Sequence, residues 1–167
     1  MITSARAAVA DERGSISGLT PLLLFLSLLL GALVIDINAI RGQRMRFGDA
    51  LEQAAVVAAG QIDAHHLAAT GEIRLGDHAT AVAREYLRLN LRSADGLIAG
   101  STAVAVATSA QIAVTAPGGF DPIRKRSVVA PTVSIRAEVP VRTGLLRLAG
   151  LPAIRALPIT ASATTRS

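Results

Sequence analysis

The longest apolar segment of the chain, LTPLLLFLSLLLGALVI, runs from Leu19 to Ile35 without a charged residue. At about 1.5 Å per residue, a helix of that length covers roughly 26 Å, close to the ~30 Å hydrocarbon layer of a bilayer. A secretory signal peptide has a shorter apolar region and a small-x-small cleavage site. The nearest candidate here, Ile37-Asn38-Ala39, has a bulky residue where a small one is needed. We therefore predict an uncleaved transmembrane helix over residues 19–36.

Helical periodicity continues beyond this segment. Apolar residues recur every three or four positions, the spacing of a helix with one buried side. They are Phe47, Leu51, Ala54, Ala55, Ala58 and Ile62. Provided that Gly42 and Gly48 do not break it, one helix runs from about Leu19 to His66, roughly 70 Å long. Its outer half would then carry the folded domain.

A second helix is predicted after a polar turn. The stretch DAHHLAATGEIRLGD indicates the end of the first helix and a turn in which Gly71 and Gly76 are breakers. Asp77 is the expected N-cap of the second helix, which runs to about Arg92. The side of this helix that faces the core is predicted to carry Ala79, Val82, Ala83, Tyr86 and Leu87.

The remainder of the chain changes to a period of two. Alternation predicts strands in STAVAVATSAQIAVTAPGG, in ALPITASATT and above all in PTVSIRAEVPVRT. In the last of these, one face carries Val133, Ile135, Ala137, Val139 and Val141, and the other carries Ser134, Arg136, Glu138 and Arg142. Pro140 lacks an N–H group, so this strand is expected at a sheet edge, or its pairing is expected to end there. GLLRLAGLP between the strands is predicted as a short apolar turn or helix. The fold class is α+β, with a sheet of three or four antiparallel strands.

Composition narrows the possible functions. At 167 residues the chain has room for one anchor and one modest domain. Its 51% hydrophobic but 2% aromatic content indicates a core of Ala, Val, Leu and Ile, and the absence of cysteine excludes disulfides and thiolate ligands. The chain has a net charge of +5 but almost no aromatic side chains on which bases could stack. Nucleic-acid binding is therefore not expected.

Candidate chemistry is sparse. Potential metal-ligand types gather at Asp63, His65, His66, Asp77 and His78, but a polar helix end in solvent is the better explanation for them. No hydroxyl has a base at a spacing that suggests nucleophilic catalysis, and GGFDP, residues 118–122, is a turn rather than a phosphate loop. The basic run from Arg124 to Arg126 is a solvated loop or a contact for anionic lipid or an acidic partner. No enzyme activity, cofactor, metal or small-molecule substrate is expected.

Order and spacing of several segments carry a resemblance. An Arg-bearing leader ending in RGS, an apolar span closing on Asp36, the helix GDALEQAAVVAAG, then AREYLRLN and a final RLAGLPAIRALPITASAT are similar to TadE/TadG-like proteins. These are pseudopilin-like membrane proteins of the tight-adherence (Flp, type IVc) pilus machinery. The resemblance covers Arg13 to Thr164. It implies residues 1–18 as a cytoplasmic leader, residues 19–36 as the membrane helix and residues 37–167 as an extracytoplasmic pilin-like domain.

The resemblance also carries expectations about processing and topology. A prepilin-type peptidase site would lie at Gly14 and Ser15, although prepilins have a Glu five residues after that Gly, where this chain has Leu19. The resemblance implies a single-pass protein of the inner membrane with its N-terminus in the cytoplasm. Three arginines shortly after the span favour the opposite orientation, but long domains translocate largely regardless of charge.

Two functions of different class follow. The first is a non-enzymatic, minor pilin or pseudopilin-like subunit whose partners are other pilus-assembly proteins or pilins. The alternative is a membrane-tethered domain that captures a peptide or ligand at a sheet edge. Asp36 is a possible assembly contact that pairs with a cation of a partner, or else a charge that reaches interfacial water. Because it is expected to lie off the buried stripe, Asp36→Ala is expected to leave the domain intact.

Overall fold

A single helix, α1, connects the apolar segment to the folded part of the protein. A computed structural model describes residues 7–145, 150 and 152–165, with side chains from Leu19 onward. Helix α1 spans Ala7–Ala59, 53 residues, or about 80 Å. Gly42 and Gly48 lie within it, and a Cβ at either position would meet nothing within 4 Å. The predicted continuity through these glycines is confirmed, because neither is used for a turn.

The expected end of α1 at His66 is wrong. The chain leaves the helix at Gly60, whose N–H donates to Val56 O, and a short helix α2 follows over Ala64–Thr70. Asp63 caps α2 by accepting from the N–H groups of His65 and His66. A cap of this kind starts a new helix, because it satisfies amide groups that have no partner in the first turn.

Helix α3, Ala79–Arg92, corresponds to the predicted second helix, but its N-cap is not the predicted residue. Its N-cap position is His78, which makes no side-chain capping bond, whereas Asp77 lies before the helix near Arg74. Its buried side includes the predicted Ala79, Ala83 and Leu87, and Tyr86 is largely exposed. The apolar spacing therefore identified the helix correctly, although the capping residue was wrong.

The first alternating segment contains a helix that the sequence analysis did not predict. Helix α4 spans Ala103–Ser109, after a short 3-10 turn at Asp95–Leu97. Thr102 Oγ1 accepts from Ala105 N at 3.2 Å, and Asp95 Oδ1 accepts from Ala103 N at 2.8 Å. The buried residues of α4 are Ala103, Val106 and Ala107. A segment of alternating Ala and Val is compatible with a strand or with a helix. The hydrogen bonds from Ala103 N and Ala105 N to the two side chains favour the helix.

The sheet has three antiparallel strands in the order β1-β4-β5: β1 Gln111–Thr115, β4 Thr132–Arg142 and β5 Ile154–Thr164. Strands β2, Phe120–Asp121, and β3, Arg126–Ser127, form a separate hairpin. Strand β4 is central, so the expectation of an edge strand is wrong. Strand β1 pairs only as far as Arg136, and beyond it Pro140 O accepts from Ala99 N at 2.8 Å. Pairing with β5 continues past Pro140.

The core lies between the apolar face of β4 and the helices. Every predicted inward residue of β4 is buried, together with α1 residues Phe47, Leu51, Ala54, Ala55 and Ala58. Two predictions about these faces are wrong. Ile62 lies beyond the end of α1 and is 36% exposed, and Ser134 on the opposite face of β4 is fully buried beneath the β2–β3 hairpin. Apart from Phe47, the buried hydrophobic residues of the described part of the chain are Ala, Val, Leu and Ile.

The β4–β5 hairpin lies alongside the outer half of α1. At one end Gly144 approaches Asp36, and at the other Thr165 Oγ1 donates to Ala59 O at 2.9 Å. The helix covers about 35 Å between Asp36 and Ala59, and β5 covers a similar length. The connection between β4 and β5 is thus at the end of the domain nearest the apolar segment.

Substitution of Leu51 by Asp should unfold the domain. Leu51 is fully buried, and an unpaired charge there would cost several kcal/mol against a total stability of about 5–15 kcal/mol. Val56→Asp is the matched control on the same helix, because Val56 is 55% exposed. Thermal unfolding of the full chain in detergent, followed by circular dichroism, should show a large loss for Leu51→Asp alone. Equal melting of the two variants would contradict the packing described.

Candidate functional site

The first part of the candidate site is the apolar half of α1. Within the described residues, one helix is long and apolar enough to cross a membrane, and it includes the predicted span. Its leucines are exposed along nearly the whole stretch from Leu19 to Ile35. A helix that is apolar on all sides and exposed along nearly this whole stretch suits lipid or neighbouring helices.

Asp36 marks the point at which α1 joins the domain. Its side chain is 5% exposed, and it begins the buried stripe that continues through Ile40, Gln43 and Phe47 at a helical spacing. The expectation that Asp36 lies off this stripe is therefore wrong, and the side chain does not extend freely into water. The pairing of Asp36 with a partner's cation stays a prediction.

Gly144 makes the approach to Asp36 possible. It lies two residues after the end of β4, and a Cβ built on it would lie 2.8 Å from Asp36 Oδ1. That distance is too short for a carbon and an oxygen that are not bonded. The residue at position 144 must therefore lack a side chain for Asp36 to keep its place. Nothing in the sequence distinguishes Gly144, because a glycine after a strand is an ordinary turn signal.

The ends of the β4–β5 connection are tied together beside this contact. Thr143 donates its hydroxyl to Pro152 O at 2.6 Å, and its N–H to Ala153 O at 3.0 Å. The Gln43 Oε1 atom is buried and has no hydrogen-bond partner among the described residues. The predicted GLLRLAGLP turn lies largely outside the described residues. The junction of span and domain thus combines one buried carboxylate, one glycine contact and a pinned strand connection.

The predicted processing site lies far from this junction. Gly14 and Ser15 are inside helix α1, and the Ser15 side chain lies outside the described part of the structure. Processing between them stays a prediction.

The polar cluster after α1 has structural roles. Asp63 caps α2, and the N–H of His66 lowers the pKa of its carboxyl group. A ring nitrogen of His78 lies 3.2 Å from Gln61 Oε1, and Asp77 lies 3.9 Å from Arg74. Among the residues that the structure describes, no three His, Asp or Glu side chains form a group that could hold a metal ion.

A buried carboxylate that the sequence analysis missed lies in the β2–β3 hairpin. Asp121 is fully buried, accepts a hydrogen bond from Ser134 Oγ and accepts from the N–H groups of Ile123 and Arg124. Burial raises the pKa of Asp121, but these hydrogen bonds outweigh burial and hold it below the ordinary value of 3.8. Asp121 therefore fixes the hairpin onto the outer face of the sheet.

The basic run of Arg124 to Arg126 lies on this hairpin, at the end of the domain away from the apolar segment. Arg124 Nη1 donates to Ser162 Oγ at 2.6 Å, and Ser162 is close to the end of β5 that meets Ala59. Lys125 has a φ of 53°, in the left-handed region, as the closing residue of the turn. The distance from the apolar segment disfavours contact between this run and lipid.

Comparison with family models, with curated proteins and with solved structures gave no match to this chain.

Gly144→Ala should disturb the junction through Asp36. The added methyl group displaces the Asp36 carboxylate, and we expect destabilisation of about 1–3 kcal/mol, as for other overpacked sites. In the background of Asp36→Ala the same substitution should cost less, giving a coupling energy above about 0.5 kcal/mol in a double-mutant cycle. Chemical unfolding in detergent supplies the four values. Gly42→Ala is the control, expected to be neutral or stabilising by up to about 1 kcal/mol. Additive effects of Asp36→Ala and Gly144→Ala would show that the two residues are independent.

Asp121 should make stability depend on acid pH. Because its pKa is lowered in the folded state, its contribution is complete above the unfolded value near 3.8 and is lost as the pH falls through the folded value. Asp121→Asn should therefore cost about 1.5–3 kcal/mol at pH 7, with the difference from wild type shrinking below about pH 4. Thermal unfolding between neutral and acid pH measures both curves. Exposed Asp77, replaced by Asn, should give the wild-type curve. A constant gap between wild type and Asp121→Asn at all pH values would contradict this role.

Proposed function

We propose that this protein is a non-enzymatic, membrane-anchored subunit, of the minor pilin or pseudopilin-like kind, in the assembly of a tight-adherence (Flp, type IVc) pilus or a related secretion apparatus. The observation that carries the proposal is the continuity of α1. The same helix supplies an exposed apolar segment and, beyond Asp36, one wall of the domain core. No flexible Gly, Ser or Pro linker separates the two parts.

Continuity matters because it couples the two halves mechanically. A domain attached through a flexible linker can bind a ligand, but a movement of the domain does not move its anchor. A domain built on the anchoring helix takes a fixed position and orientation relative to that helix. Such an arrangement suits a subunit that packs its apolar helix beside those of other pilus-assembly proteins or pilins. The positive net charge with only 2% aromatic residues supports a protein partner over a nucleic acid.

The proposed location is the inner membrane, with a single pass, the N-terminus in the cytoplasm and the domain outside it. We expect the mature protein to retain the span and to resist carbonate extraction from membranes. A reporter fused after Ser167 should be active only outside the cytoplasm. Mass analysis showing a mature N-terminus at Ile40 would remove the anchor, and reporter activity only in the cytoplasm would reverse the orientation.

The alternative function, capture of a peptide at a sheet edge, is favoured by the position of β5 at the edge of the sheet. Pro158 counts against it. Pro158 pairs with Glu138, and since proline has no N–H, its nitrogen must face away from β4 toward the open edge. The middle of that edge therefore lacks a donor that an added strand would use. Proline at this position is a common protection against strand addition.

A pair of insertions between Ile35 and Asp36 separates the two functions. One insertion is a flexible Gly/Ser segment and the other a helical Ala-rich segment of the same length, about two turns. Both leave the span and the Asp36–Gly144 contact intact, but only the flexible one breaks the mechanical link. In the native host, the helical insertion should retain more pili and co-purifying partners than the flexible one, with similar protein levels in the membrane.

Equal pilus formation by the two insertion strains would favour the tethered binding domain. Normal pili after deletion of the whole gene would contradict the pilus assignment itself. Partners are identified by purification in mild detergent and mass spectrometry, and pili are counted by electron microscopy.

A further inference from the structure

The end of the domain nearest the apolar segment carries exposed arginines on both α1 and the β4–β5 hairpin. They are Arg41, Arg44, Arg142 and Arg155, which we call the basic rim. Arg41 and Arg44 follow Asp36 by about 8 and 12 Å along the helix axis. Arg142 precedes Gly144 by two residues, and Arg155 pairs with Val141, so both lie within about 10 Å of the Asp36 contact along the strands.

The basic rim has little acidic charge to balance it. None of its four arginines makes a salt bridge within the described residues. Asp36 is buried, and exposed Asp95 accepts a hydrogen bond from Ala103 N. On β4, exposed Glu138 lies about 13 Å before Arg142. Along α1 the next carboxylate after the rim is Asp49, about 8 Å beyond Arg44. Two other arginines of the domain have acidic partners, Arg74 with Asp77 and Arg88 with Glu85.

The geometry points to anionic lipid headgroups as the ligand of the basic rim, and this inference rests on the proposed membrane anchor. If residues 19–36 cross the bilayer, the Asp36–Gly144 contact places the rim at the headgroup level of the adjoining leaflet. The four guanidinium groups then lie within about a Debye length of the surface, where attraction to anionic lipid is strong. Guanidinium groups also match phosphate geometry through paired N–H donors. Exposed Leu145 and Ile154 lie between the arginines of the hairpin and add apolar contact.

The consequence is a domain held against the membrane at two places. The span fixes the position of α1, and the basic rim holds the open end of the β4–β5 hairpin on the same surface. The tilt of the domain relative to the bilayer would then depend on the content of anionic lipid and on ionic strength.

Site-specific fluorescence in proteoliposomes tests this inference. The chain has no cysteine, so Leu145→Cys gives one labelling site for an environment-sensitive fluorophore. The full chain is inserted into vesicles of phosphatidylcholine alone, or with about 30% phosphatidylglycerol. Quenching by a spin label on the lipid headgroup should be several-fold stronger in the anionic vesicles. It should fall to the neutral level in about 0.5 M NaCl, where the Debye length is roughly 4 Å.

Two quadruple variants test whether the response to anionic lipid depends on the basic rim. Replacing all four rim arginines with Gln should abolish the response to anionic lipid. The matched control replaces four exposed basic residues away from the rim, Arg84, Lys125, Arg126 and Arg136, and should keep the full response. Equal quenching of the inserted chain in neutral and anionic vesicles would overturn the inference but not the membrane anchor. So would an equal loss of the response to anionic lipid in both quadruple variants. A chain that carbonate extracts from both vesicle types would overturn the membrane anchor and this inference with it.

Discussion

Burial of one side of α1 against α3 and the β4–β5 hairpin is the interaction on which the rest of the structure depends. Phe47, Leu51 and the alanines between them and Ala59 contribute side chains that are almost fully buried. Each large aliphatic or aromatic side chain buried in this way stabilises the fold by about 1.5–3 kcal/mol. The small alanines allow the strands and α3 to approach the helix closely. A domain with 2% aromatic residues needs that close approach to build a core.

The apolar segment of α1 and its outer half have different surroundings, and Asp36 lies at the boundary between them. From Leu19 to Ile35 nearly all side chains are apolar and exposed, and after Asp36 the buried side chains lie along one side of the helix. The stripe begins with a carboxylate rather than an apolar residue. Contact between Asp36 and Gly144 closes the domain at this boundary, and the bond from Thr165 to Ala59 closes it at the other end. The hairpin is thereby matched in length to the outer half of α1.

Much of the architecture could be predicted because strong periodicity survives in the sequence. The α1 stripe, most of the α3 face and the inward residues of β4 are where their spacing placed them. Helix α4 was missed because alternating Ala and Val fits both periods, and its start depends on Thr102 and Asp95, which lie in different turns. Asp36 was placed off the stripe, although its spacing to Ile40 and Gln43 continues the pattern. Gly144 and buried Asp121 depend on contacts between distant segments, which no local pattern reveals.

The central claim is that α1 is one continuous helix from the apolar segment into the core. The most direct measurement is the distance between two spin labels in lipid nanodiscs, attached to Cys at exposed Leu23 and Glu52 in this cysteine-free chain. The two positions are 29 residues apart and lie on nearly the same side of an ideal helix, so a narrow distribution near 44 Å is predicted. A broad distribution, or one centred well below that distance, would show a hinge between anchor and domain and would contradict the account.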